Sequence, residues 1–299
     1  MNLNTGHFRI DIVPETIDVP FAFAEFLPNS TPEQLAAEAH WLRPHYASAD
    51  LVHGLLSFHS YLLRSPTQTV LIDACMGNDK ERGGHPLFHR LQTPWLSRLA
   101  ALGVQPEDVD YVLCTHLHGD HVGWNTCLRD GRWVPTFPRA RYVFSKVEYE
   151  HRRAAFEADP SAGFGIFADS ILPVMSSGQA LLVDSDFELG GLLRLESAAG
   201  HTPGNVIVHL DHSSAANISP VIFSGDVVHH PVQVKYPEWS SVFCEDPRAS
   251  AYYRQAFVER YADSECWILP AHFPRPSAGQ IIRAGGVFHW HAPSESPAR

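Results

Sequence analysis

The stretch Tyr111-Val112-Leu113-Cys114-Thr115-His116-Leu117-His118-Gly119-Asp120-His121 decides how this chain is read. Its first four residues are a short apolar run of the kind that forms a buried strand, and Thr115 closes it. The pattern H-x-H-x-D-H then falls on the loop at the strand's end. Three imidazoles and a carboxylate crowded into one loop make physical sense if they hold a metal. In an extended segment His116 and His118 project to the same side, so both reach one ion. Gly119 permits a sharp turn, after which Asp120 and His121 face a second point nearby. Imidazole nitrogen and carboxylate oxygen suit zinc, and also iron, cobalt or manganese.

Three further candidate ligands lie downstream on loops at strand ends. His201 stands in Gly200-His201-Thr202-Pro203-Gly204 before an apolar run at Val206. Asp226 follows the run at Val221, in Ser224-Gly225-Asp226, and His272 follows the run at Trp267. A lone Asp after a strand is usually a turn residue. Three such residues behind an H-x-H-x-D-H motif point instead to a common metal site.

The rest of the chain supplies the frame. Its 299 residues, 44% hydrophobic and 18% charged, suit one large α/β domain over residues 1–299 with a substantial core. An N-terminal arm (1–54) precedes a first half (55–179), a second half (180–291) and a Pro/Ser-rich tail (292–299). Strands are expected at Phe8–Val13, Leu55–Arg64, Thr69–Asp73, Arg141–Phe144, Ala180–Val183, Leu192–Glu196, Val206–Leu210, Val221–Phe223 and Trp267–Leu269, with a closing hairpin at Ile281–Ile282 and Val287–His289. Helices are expected after Thr31-Pro32 and over Pro86–Leu102 (kinked near Pro94), Lys146–Ala158 and Phe164–Leu172 (closed by Pro173). One more starts at Asp246-Pro247, with Ala249, Tyr252, Tyr253, Ala256 and Phe257 on its buried face. Strands then helices, twice over, fit two packed sheets with helices outside, a four-layer αββα sandwich of the α/β (α+β) class.

Charge and cysteine usage narrow the partners. A net charge of −11 opposes nucleic acid and anionic membranes. Five scattered cysteines without a C-x-x-C pair fit free thiols in a reducing compartment. Met1 to Asp18 has neither a basic start nor an apolar stretch, so no signal peptide is expected, and the cytoplasm is the expected location. A small-molecule substrate is the expected partner.

The series His116-x-His118-x-Asp120-His121, His201, Asp226, His272 resembles the metallo-β-lactamase-fold superfamily of hydrolases. The resemblance runs from about Leu55 to His272. It implies the αββα fold and a dinuclear site, with His116, His118 and His201 on one metal, Asp120, His121 and His272 on the other, and Asp226 bridging. Antibiotic-degrading members put a cysteine where Asp226 stands, and oxygen-reducing diiron members put a glutamate at the place of His118. The resemblance is therefore to the branch of lactonases, esterases, phosphotriesterases and hydrolytic dehalogenases. Acyl-homoserine lactonases of that branch have a tyrosine three residues after the bridging aspartate, where this chain has His229. Relatives often pair, so a homodimer is among the expected states.

The expected activity is metal-dependent hydrolysis of a small ester or lactone, with two zinc ions (iron, cobalt or manganese as substitutes). Ions about 3.5–4 Å apart share a water and acidify it, and the bridging hydroxide attacks the electrophilic centre. Hydrolytic dehalogenation or phosphotriester hydrolysis would use the same site. A mononuclear iron dioxygenase is the reading from another class. Asp120 is the candidate proton carrier, and His229 is either a donor to the substrate oxygen or a structural histidine. Asp73, at its strand's end, would orient a ligand histidine. Phe21, Phe23, Phe26, Trp124, Trp239 and Phe243 are candidates for an apolar pocket wall, or plain core.

Overall fold

A computed structural model describes residues 3–4, 8–210 and 219–292. Residues 211–218 and, from 293 on, the expected Pro/Ser-rich tail lie outside the described residues. The chain divides into two compact units, one of residues 1–16 and 58–185 and one of residues 17–57 and 186–299. Most of the arm thus groups with the second half of the sequence. Among the described residues no helix is long and apolar enough to cross a membrane.

The first unit is organised by a seven-stranded sheet. Its order is Leu3–Asn4, Arg9–Ala22, His53–Arg64, Thr69–Ile72, Tyr111–Leu113, Arg141–Ser145, Ala180–Val183. The last four strands run parallel, with Ile72 opposite Leu113 and Leu113 opposite Val143. Parallel strands need crossovers, and the helices Trp95–Ala101 and Lys146–Ala158 lie in two of them. The apolar runs Val70-Leu71-Ile72 and Tyr142-Val143-Phe144 are buried, as parallel strands covered on both faces require. Trp95 and Trp124 stack at 5.4 Å at the centre of this core.

The second unit carries a five-stranded sheet in the order Glu188–Leu189, Leu193–Ser197, Val206–Leu210, Val221–Gly225, Trp267–Pro270. Its last pair is parallel, with Phe223 opposite Leu269 and Gly225 opposite Pro270. That register decides the site, because the residues leaving both strands, Asp226 and His272, emerge at the same sheet end. Asp73 and Thr115 leave the parallel strands of the first unit in the same way.

Several local expectations are corrected. The helix expected over Pro86–Leu102 is confined to Trp95–Ala101, since Pro94 blocks extension upstream. Phe164–Leu172 is not one helix. Gly163 and Phe164 take left-handed backbone angles, and a widened turn over Phe167–Ile171 follows. Pro173 then sits in the first turn of the helix Leu172–Ser176 instead of closing one. The helix Pro247–Tyr261 buries Ser250, Arg254, Phe257, Val258 and Tyr261, whereas Tyr252 is 81% exposed. The buried stripe is rotated because Arg254 is drawn inward to carbonyls of Pro237 and Val227. A hairpin, Thr126–Arg129 with Arg132–Pro135, was missed although Asp130-Gly131 is a strong turn signal.

Candidate metal centre

In the first unit the motif hangs from the end of strand Tyr111–Leu113. Asp73, leaving the neighbouring strand, anchors it. One carboxylate oxygen accepts from the Thr115 backbone N–H at 2.8 Å, and the other from His121 Nδ1 at 2.9 Å. The Thr115 hydroxyl donates to the same carboxylate at 2.9 Å. With its proton held on Nδ1, His121 turns a bare Nε2 outward, 3.6 Å from Asp120. His116 Nδ1 lies 3.2 Å from the Thr115 hydroxyl, and His116 Nε2 lies 3.0 Å from His118 Nδ1. The rings of His116 and His121 are 4.0 Å apart. Asp120 and His118 are half-buried.

Two residues that the sequence reading did not single out fix this loop. Glu148, fully buried on the helix Lys146–Ala158, accepts from the Leu117 N–H at 3.2 Å, between His116 and His118, and pairs with Arg152. Glu15 accepts from the Met76 N–H, the Thr93 hydroxyl and the Trp124 indole, and burial pushes its pKa up. The segment it holds lies against the motif's end, where Gly123 and Trp124 donate to the carbonyls of Cys75 and Ala74. A Cβ on Gly123 would stand 1.7 Å from the Met76 carbonyl oxygen, so the contact needs glycine. Trp124 is core, with its stack on Trp95, and is no pocket wall.

In the second unit three imidazoles converge on Asp226, which is 2% exposed. His201 Nε2 and His229 Nε2 each lie 3.3 Å from its carboxylate, and His272 Nε2 lies 3.2 Å away. His272 Nδ1 faces the Ser57 carbonyl at 3.3 Å, and His201 Nδ1 faces the Cys244 sulfur at 3.5 Å. The His272 ring therefore points both nitrogens at acceptors. A neutral imidazole has one proton, so with Nδ1 donating to the Ser57 carbonyl a bare Nε2 faces the Asp226 carboxylate, where a cation would sit between them. That arrangement fits a metal. Burial lowers the His229 pKa, against the pull of Asp226.

The loop after Asp226 is tightly held. Gln233 accepts from the N–H groups of both His229 and His230. His230 donates from Nε2 to the Tyr46 carbonyl at 2.7 Å, and burial pushes its pKa down to about 4, so it is a neutral structural residue. Phe26 and Phe243 flank the His229 ring at 6.1 and 6.4 Å, and Phe21 completes that cluster. Phe23 packs on His230. Trp239 stacks on Tyr236 and is core.

Fold and donor sets define a mixed α/β protein with histidine–carboxylate groups able to bind metal at the carboxyl ends of paired parallel strands. The chain belongs to the metallo-beta-lactamase superfamily, whose profile matches residues 54–272, and it has that superfamily's fold. It is similar to N-acyl homoserine lactonase AttM of Azorhizobium caulinodans, at 32% identity over 114 residues, 37% of this chain and 39% of that protein. It spans about two fifths or less of the length of the curated relatives it matches. Among solved structures it is similar to AbOPH, a hydrolase in the beta-lactamase superfamily, at 25% identity and a TM-score of 0.78, covering 99% of this chain and 97% of that one. The dizinc quorum-quenching lactonase AidC, in complex with the product N-hexanoyl-L-homoserine, shares the fold with a TM-score of 0.79 at 20% identity, over 99% of this chain and 98% of that one.

Proposed function

We propose that this chain is a metal-dependent hydrolase that opens a small lactone or ester at a dinuclear centre, acting as one domain over residues 1–299. The observation that carries the reading is the buried convergence of His201, His229 and His272 on Asp226. In this reading His116, His118 and His201 hold one cation, Asp120, His121 and His272 hold the other, and Asp226 is shared. Zinc suits the all-nitrogen-and-oxygen donor set. When bound, the ions supply an acidified water as nucleophile and a Lewis acid for the carbonyl oxygen.

The chain's own residues set the stage for that chemistry. Asp73 and the Ser57 carbonyl hold protons on the Nδ1 atoms of His121 and His272, which keeps each Nε2 bare. Asp120, half-buried, is the proton carrier from nucleophile to leaving oxygen. His229 is the hydrogen-bond donor to the substrate oxygen, and burial keeps it from adding a positive charge beside the cations. The relatives named as N-acyl homoserine lactonases support a lactone as substrate. Free thiols at all five cysteines support a reducing, cytoplasmic setting.

The test is metal analysis with a substrate panel of lactones, aryl esters and phosphotriesters, run on the wild type and on Asp226→Ala. About two zinc ions per chain and metal-dependent lactone or ester turnover are expected. Both should be lost in the variant. One iron per chain, or no metal-dependent turnover on any substrate, would overturn the reading.

A further inference from the structure

We propose that Cys244, His201 and His229 form a second kind of metal site, selective for soft cations, on the opposite edge of the His201 ring from Asp226. All three side chains are buried, and each offers a ligand atom within 4.8 Å of the others. Three of the six donor separations match the edges of a tetrahedron around one ion. Metal–sulfur and metal–nitrogen bonds of about 2.3 and 2.1 Å at tetrahedral angles separate sulfur from nitrogen by about 3.6 Å, and two light donors by about 3.4 Å. Cys244 Sγ stands 3.5 Å from His201 Nδ1 and 3.6 Å from Ser241 Oγ, and Ser241 Oγ stands 3.4 Å from His229 Nε2. Ser241 thus completes the set as the fourth donor. Among the described residues His229 Nδ1 has no hydrogen-bond partner, so nothing there ties the ring down at its other edge.

The sulfur sets the selectivity. The donors around Asp226 and in the H-x-H-x-D-H motif are nitrogen and oxygen, whereas this group adds a thiolate, which favours cadmium, copper(I) or excess zinc. On binding, the Cys244 thiol gives up its proton to solvent and a sulfur–cation bond replaces the S–H bond. The sulfur now donates to Ser250 Oγ at 3.3 Å, and that contact would break. A cation here takes the His229 Nε2 away from Asp226 and loads the far edge of the His201 ring, so soft metals act as poisons of the neighbouring centre. The binding claim stands apart from the hydrolase reading, because its test uses no substrate.

Cadmium is added to the chelator-stripped full-length chain, and the thiolate-to-cadmium charge-transfer band is followed. The expected result is one thiolate-bound cadmium per chain, absent in Cys244→Ser and retained in Cys127→Ser, the latter altering the only cysteine that is not buried. His229→Gln should weaken cadmium binding about tenfold or more. Cadmium NMR of the wild type, which separates one sulfur ligand from none, decides the matter even if Cys244→Ser fails to fold. A wild type without a sulfur-ligated cadmium signal, or a band that survives in a folded Cys244→Ser, would overturn the proposal.

Discussion

Replacing Asp73 with asparagine tests whether the proposed metal-binding loop is oriented by a carboxylate in particular. Asp73 faces donors on both oxygens, the Thr115 N–H at 2.8 Å and His121 Nδ1 at 2.9 Å, with the Thr115 hydroxyl as a third. A carboxylate accepts on both sides, but asparagine has one oxygen and one NH₂ group. Whichever way the amide turns, its NH₂ meets a donor. If it turns toward His121, the imidazole must move its proton to Nε2, the nitrogen that the proposed metal ligation uses. If it turns toward Thr115, a buried backbone N–H loses its acceptor. Losing one hydrogen bond to a charged group costs about 1.5–3 kcal/mol, which corresponds to about 10–100-fold in zinc affinity. Chelator competition with a zinc-sensitive dye measures that affinity directly, and circular dichroism confirms the fold. A folded Asp73→Asn that binds zinc within twofold of the wild type would mean that the second carboxylate oxygen is not what orients His121.

Other outcomes follow from the same structure. Burial depresses the His230 pKa from 6.5 to about 4, so between those values the unfolded chain takes up a proton that the folded chain refuses. The stabilisation is complete above pH 6.5 and declines by about 3 kcal/mol as the pH falls to 4. Urea melts across that range should show the decline, and His230→Gln should flatten it; an unchanged slope in the variant would place its origin elsewhere. Gly123→Ala pushes a methyl group against the Met76 carbonyl and should cost about 3 kcal/mol or more, read as a lowered unfolding midpoint, because backbone must shift on both sides. An unchanged midpoint would mean that the contact yields freely.

Much of the frame was legible in the residues themselves. Ser145 accepts from the Glu148 N–H at the start of the helix Lys146–Ala158, and Asp246 accepts from Arg248 and Ala249 ahead of Pro247. Both starts were readable because a cap is a local arrangement of neighbours in sequence. The strand Val206–Leu210 was readable from Val206, Ile207, Val208 and Leu210, an apolar run broken only by His209. Tyr252 and Ala256 were misplaced because helical periodicity ranks residues by hydropathy alone. An arginine drawn to distant carbonyls carries no such signal. Glu148 and Glu15 were missed for the same reason, since neither stands in a motif and their partners lie 31 and 61 residues away.

The donor types, their order along the chain and their seats at strand ends were legible in the residues, because strands and turns are written in short-range pattern and metals demand particular atoms. Which nitrogen of His121, His272 and His201 is taken emerges only once distant residues pack together. His121 meets Asp73, His272 meets Ser57, and His201 meets Cys244, pairings that span 48, 215 and 43 residues. Strand register brings such partners together, and register depends on packing over the whole sheet, which no local stretch of residues encodes.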